Sequence, residues 1–162
     1  MMIIDEAIRD MPANSTIIVD SLTRLETWYN IEEEANPKPK SAKPPYNIDT
    51  QAMYARRLNY FNTLITKFTA CEANAVFLVH QQYDRDDKNN ISNQIKPALI
   101  GQIGEKLPGF FPILLQAVRK ESGNDVKFLW RTKSSMFEPA RVPKAGAPDF
   151  IPQDYTELAK YL

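Results

Sequence analysis

Apolar side chains at Ile4, Ala7, Ile8 and Met11 recur at helical spacing, and Pro12-Ala13-Asn14-Ser15 breaks the pattern. Thr16-Ile17-Ile18-Val19 then runs apolar and β-branched without alternation. Such a run predicts a strand buried on both faces of a parallel sheet, here ending at Asp20-Ser21. Leu22, Leu25 and Trp28 suggest a helix behind it. The stretch 31–45 holds four prolines, three glutamates and Lys38, Lys40 and Lys43, so residues 31–47 are expected to form an extended, mobile loop.

From Thr50 onward, Tyr54, Leu58, Phe61, Ile65 and Phe68 give the clearest helical face in the chain. Ala75-Val76-Phe77-Leu78-Val79 reads as a second buried strand, ending at His80-Gln81-Gln82. The polar residues 83–97 predict a second long loop, and 99–107 a short helix stopped by Pro108-Gly109. Residues 113–120 and 126–133 read as a hairpin around Ser122-Gly123-Asn124-Asp125. Proline-rich coil follows, then a terminal helix over 155–162 begun at Pro152. Helices alternating with strands, with long loops at the strand ends, predict an α/β fold, and the length suits a single domain over 1–162.

Twenty basic side chains balance twenty acidic ones, so any nucleic-acid surface must be local. The single cysteine, Cys71, cannot form an internal disulfide, and it suggests a reducing, cytoplasmic setting. No apolar run reaches the ~20 residues that span a bilayer, and the N-terminus lacks the pattern of a signal peptide, so no membrane partner is expected.

In open α/β sheets ligands gather at the carboxyl ends of the strands. Asp20 at such an end can hold Mg²⁺ through water beside a nucleotide's phosphates, with Ser21 bonded to the same shell; it can equally cap the next helix. His80 or Gln81 can sense a γ-phosphate or orient an attacking water, whereas a lone histidine at a strand end is also compatible with a purely structural role. With one histidine and no cysteine cluster, zinc ligation is not expected.

The segment Ile17-Ile18-Val19-Asp20-Ser21-Leu22-Thr23-Arg24-Leu25 resembles the Walker B region of RecA-like P-loop ATPases. It is most similar to the phage nucleotide-binding proteins of single-strand annealing and recombination. The likeness continues through Val76-Phe77-Leu78-Val79-His80-Gln81, through Lys96-Pro97-Ala98-Leu99-Ile100-Gly101 to Leu107-Pro108-Gly109-Phe110-Phe111, and through 113–133. It implies part of a three-layer RecA-like fold with a mainly parallel sheet and a C-terminal β-hairpin. It implies ATP and Mg²⁺ as ligands, with Asp20 supporting the metal, Asp20 and Ser21 at the nucleotide, and His80 or Gln81 in the catalytic position. Arg131 and Lys133, and more weakly Arg141, would reach a neighbouring subunit's nucleotide in a homo-oligomer. A solvated basic edge is the plainer alternative for these three. The loops 31–47 and 83–97 would face single-stranded DNA through Lys38, Lys40, Lys43, Arg85 and Lys88.

The sequence departs from that family in two respects. None of the five glycines lies in a Gly-x-x-x-x-Gly-Lys-Ser/Thr loop, and Ser21 rather than glutamate follows Asp20. Gly101-Gln102-Ile103-Gly104-Glu105-Lys106 has the wrong spacing for a phosphate loop, and no strand is expected before it. Ile3-Ile4-Asp5-Glu6 mimics an apolar-Asp-Glu motif but falls on a helical pattern. The expectation is therefore an ATPase core without its Walker A region, inactive by itself. The rival expectation is a non-catalytic module that keeps part of the fold for subunit or nucleic-acid contact.

Overall fold

The computed structural model describes residues 2–35, 50–85, 91–99, 101–135 and 138–162, and divides into two compact units. The first comprises Met1–His80 and Ala98–Ile103, the second Gln81–Pro97 and Gly104–Leu162.

In the first unit, α1 (Met2–Arg9) precedes β1 (Thr16–Asp20), α2 (Leu22–Ala35), α3 (Thr50–Thr69) and β2 (Asn74–Leu78). β1 and β2 pair in parallel, from Thr16 opposite Asn74 to Asp20 opposite Leu78. Burial alternates along both strands, so the expectation of two buried faces is corrected. Phe77 meets Phe68 of α3 edge-to-face at 5.1 Å, while Ile18 on the opposite face is 62 % exposed. A continuous β-branched run reports strand propensity, but burial on the second face requires a second covering layer.

Leu22, Phe61, Leu64, Ile65 and Phe68 form the buried apolar set of α2 and α3. Helix α2 runs on through residues expected to begin a loop. Glutamates 32–34 are good helix formers, and Glu33 accepts from the Arg56 guanidinium of α3 at 2.7 and 3.0 Å. Tyr29 stacks on Tyr60 at 4.6 Å. Burial, and then the Glu33 carboxylate beside it, push the Tyr29 phenol pKa upward. Of the expected loop 31–47, residues 36–47 lie outside the described residues.

The second unit holds β3 (Gln81–Arg85), β4 (Ile91–Pro97), most of α4 (Gln102–Lys106) and a 3-10 turn over Leu107–Phe110. It continues with β5 (Gln116–Ser122), β6 (Asp125–Arg131), β7 (Phe150–Pro152) and α5 (Tyr155–Ala159). Strands β3 and β4 form an antiparallel ladder, which corrects the expected loop 83–97. Its polar composition hid the β-formers Tyr83, Ile91 and Ile95, of which Tyr83 pairs with Ile95.

The β5–β6 hairpin forms as expected, with Ser122 opposite Asp125. Gly123, at φ +61°, takes the first central position, where a two-residue II′ turn uses glycine. The expected coil after it contains β7, which pairs antiparallel with β6 from Leu129 opposite Pro152 to Arg131 opposite Phe150. The described sheets are thus one parallel pair and two antiparallel sheets, and the expected mainly parallel sheet is replaced by a mixed α/β arrangement. Helix α5 starts at Tyr155 as expected and ends at Ala159. Asp154, not Pro152, is its N-cap, accepting from the Thr156 hydroxyl at 2.7 Å and its amide at 2.8 Å.

Two outcomes follow from these contacts. Gly101 has φ +61°, and a Cβ there would overlap the Tyr54 hydroxyl. Gly101→Ala should therefore cost roughly 2 kcal/mol, read as a lower urea midpoint; an unchanged midpoint would contradict it. The Thr156 hydroxyl, and secondarily its amide, hold the Asp154 carboxyl below its ordinary pKa. The cap is then fully formed above the unfolded carboxyl value of about 3.9 and lost as pH falls through the lower folded value. An NMR titration of Asp154 should give a midpoint below that of an unstructured aspartate.

Candidate nucleotide and metal site

Because β1 and β2 run parallel and in register, their carboxyl ends lie side by side, with Asp20 opposite Leu78. The chain then turns from β1 into α2 at Ser21, following a cis Asp20–Ser21 peptide bond. Ser21 is 6 % exposed. Its Oγ accepts from the Arg24 amide at 3.2 Å, and its carbonyl accepts from the Leu25 amide at 3.0 Å. Ser21 is therefore the N-cap of α2.

That assignment frees Asp20 from the capping role. Its side chain is exposed on the same strand face as Ile18, and it has no hydrogen bond or ion pair among the described residues. A carboxylate held at a strand end by backbone pairing alone keeps its lone pairs for a hydrated cation. No group of three or more His, Cys, Asp or Glu residues that could hold a metal occurs among the described residues. A cation at Asp20 would therefore need water and phosphate oxygens to complete its shell.

His80 lies two residues beyond the end of β2 and is exposed. Its amide donates to Thr23 Oγ1 at 3.1 Å, and its carbonyl accepts from the Ala98 amide at 2.7 Å. Thr23 thus ties the exit of β2 to the first turn of α2, bringing the His80 and Asp20 segments to one sheet edge. The imidazole itself has no hydrogen bond or ion pair among the described residues. Gln81 opens β3 in the second unit, where its amide oxygen accepts from Gln116 Nε2 at 3.3 Å.

The cationic candidates of the second unit are engaged. Arg131 ion-pairs with Glu138, donates to Gln116 Oε1 at 3.0 Å and lies 4.8 Å from the Phe150 ring centroid. Lys133 pairs with Asp149 at 3.1 Å and falls two residues past the end of β6. Arg141 donates from Nε to the Phe111 carbonyl at 3.0 Å, and from Nη2 to the carbonyls of Pro108 and Phe111. Among the residues expected to face DNA, Arg85 is the last residue of β3. Lys38, Lys40, Lys43 and Lys88 lie outside the described residues.

A strand does precede Gly101, since β4 ends at Pro97, which corrects the expectation of none. The following turn still has no free phosphate cradle. Its leading amide, that of Gln102, donates to the Tyr54 hydroxyl at 2.7 Å.

Sequence reading missed two residues near the site. Thr23 sits two positions past Ser21, where a β-branched hydroxyl in a first helical turn was the available signal. Glu26, four residues after Leu22 on the packed side of α2, is 3 % exposed. Its spacing from Leu22 could have flagged a buried carboxylate.

A parallel strand pair thus carries an exposed carboxylate at its outgoing edge, the edge where open α/β sheets bind their ligands. A family model described as AAA domain matches residues 3–141, and the chain belongs to that family. This makes it a member of the AAA-type, P-loop-ATPase-like proteins, which generally use ATP and Mg²⁺. No curated protein and no solved structure matches it.

The capping role of Ser21 is directly testable. Ser21→Ala should lower stability by about 1 kcal/mol, and Ser21→Asn should restore most of it, because the cap needs an acceptor rather than a hydroxyl. Equal losses for both variants in chemical denaturation would assign Ser21 another role.

Proposed function

We propose that this chain is the Walker-B-bearing part of a RecA-like ATPase of the phage recombination type, acting on single-stranded DNA in recombination or repair. In this reading the protein is cytoplasmic and works as a homo-oligomer. The observation that carries the nucleotide-site reading is the Asp20 carboxylate, exposed at the end of a parallel strand and without a partner among the described residues, while Ser21 takes over the helix cap. Asp20 would hold Mg²⁺ through water, and the metal would draw charge from the phosphates. Ser21 would fix the backbone behind that carboxylate. His80, positioned through Thr23, would face the γ-phosphate or its attacking water, and Gln81 would assist. Arg131, Lys133 and Arg141 would act on a neighbouring subunit's nucleotide. Lys38, Lys40, Lys43, Arg85 and Lys88 would meet DNA phosphates, with affinity that falls as salt rises.

The absence of a Gly-x-x-x-x-Gly-Lys-Ser/Thr loop in these 162 residues favours a second reading. Here the chain is a non-catalytic module for oligomerisation or nucleic-acid contact. Both readings agree that these residues alone lack the lysine and amide cradle that positions a triphosphate.

The 162 residues with Mg²⁺-ATP should accordingly release phosphate only at background rate. A turnover near ~1 s⁻¹ that Asp20→Ala abolishes would overturn this. The two readings separate in a titration with Mn²⁺ as a paramagnetic stand-in for Mg²⁺, run with ADP present. The ATPase reading expects selective broadening of the Asp20, Ser21 and His80 amides that disappears in Asp20→Asn. Uniform broadening, or none, would leave the non-catalytic module as the better account.

A further inference from the structure

The second unit contains a cleft of about 290 Å³, bordered by Thr132, Lys133, Ser134, Arg141, Lys144 and Gly146. At about 30 Å³ per water, it has room for a tetrahedral oxyanion and several waters. Three cations line it, from the exit of β6 and from the segment leading to β7, and their partners differ in kind. Lys133 has an acidic partner, Asp149, in an exposed ion pair. Arg141 donates only to the neutral carbonyls of Pro108 and Phe111, and its Nη1 has no partner among the described residues. Lys144 Nζ donates to the Lys160 carbonyl at 3.0 Å, another neutral acceptor. Two of the cationic residues bordering this cleft thus have no carboxylate partner among the described residues.

The walls are fixed independently of any ligand. Thr132, 1 % exposed, donates its hydroxyl to the Pro148 carbonyl and its amide to the Asp149 carbonyl at 3.1 Å. Ser134 Oγ donates to the Ala140 carbonyl at 2.8 Å and accepts from the Ala140 amide at 3.1 Å. The isolated bridge between Leu114 and Arg141 anchors the opposite side. Carbonyl contacts therefore hold the Arg141 guanidinium and the Lys144 ammonium in place before an anion arrives, which lowers the ordering cost of binding. A planar guanidinium beside a compact ammonium suits a phosphate group, whose several oxygens can accept from both.

We infer that this cleft is a phosphate-binding site, held by Arg141 and Lys144 and completed by Lys133 when it releases Asp149. The phosphate belongs either to a single-stranded nucleic-acid backbone or to a free nucleotide, since both present the same group. The inference does not depend on the reading of Asp20.

An NMR titration of the intact chain with inorganic phosphate tests it through the Ser134 and Gly146 amides. Both should shift saturably. Lys133→Gln and Lys144→Gln should each weaken the apparent affinity at least fivefold, while Lys127→Gln, on β6 outside the cleft, should not. No shift, or equal weakening by Lys127→Gln, would overturn the assignment. Should Lys144→Gln disturb the C-terminal turn, Lys133→Gln still carries the test, because the ion pair it removes is to exposed Asp149. Oligothymidylate and ADP are then added against phosphate. Displacement by the oligonucleotide identifies a backbone site, displacement by ADP a nucleotide site, and failure of both overturns the proposal. Asp20→Ala should leave the phosphate titration unchanged even where it abolishes Mn²⁺ broadening, so the two proposals fail separately.

Discussion

The parallel pairing of β1 with β2 is the constraint on which the rest of the first unit depends. Parallel neighbours must leave the sheet at the same edge, so two sequence segments about sixty positions apart deliver their exits side by side. The backbone ladder determines where Asp20 stands. The Thr23 hydroxyl then closes that edge by accepting the His80 amide, and Ser21 begins α2. Three consecutive structural tasks are thus spread over Ser21, Leu22 and Thr23: capping, core filling and strand docking. Asp20, next to them, is left with none. A carboxylate with no side-chain partner among the described residues, at the edge where α/β sheets bind their ligands, is the physical basis of the proposal made for it.

The second unit is organised differently. Its cations contribute to the scaffold: Arg131 bridges Gln116 and Glu138 beside Phe150, and Arg141 clamps the turn at Pro108 and Phe111. Paired with a carboxylate, as Arg131 is, an arginine meets another anion only by exchanging or sharing that partner. Paired with carbonyls, as Arg141 is, it keeps a positive field while losing its mobility. The distinction separates basic residues that must give up a partner to meet an anion from those that can do so directly.

Much of the first unit, and the β5–β6 hairpin of the second, was legible because the signals are local and strong. The apolar positions of α3 and the short β-branched runs of β1 and β2 declare themselves in the sequence, and so do the glycine and asparagine of the β5–β6 turn. The failures share a cause. Strands β3, β4 and β7 carry few consecutive apolar residues, and their pairing is decided by partners outside the local window. The last helical turn of α2 likewise depends on Arg56, twenty-three positions away from Glu33. At the site, Asp20 and His80 were visible as strand-end polar residues. The division of labour between Asp20 and Ser21 was not, because either residue type caps a helix well.

The hydrogen bond between the Ala98 amide and the His80 carbonyl has a consequence for how the chain is made. It marks the neck of an excursion: the first unit stops at His80, the β3–β4 ladder intervenes, and the first unit resumes at Ala98. Leu99 and Ile103, 4 % and 3 % exposed, belong to its core and are synthesised only after that ladder. On a ribosome adding residues in order, the N-terminal unit cannot complete itself before the intervening hairpin has emerged. Translation order therefore places the completion of the first unit's core after the emergence of a ladder that belongs to the second unit.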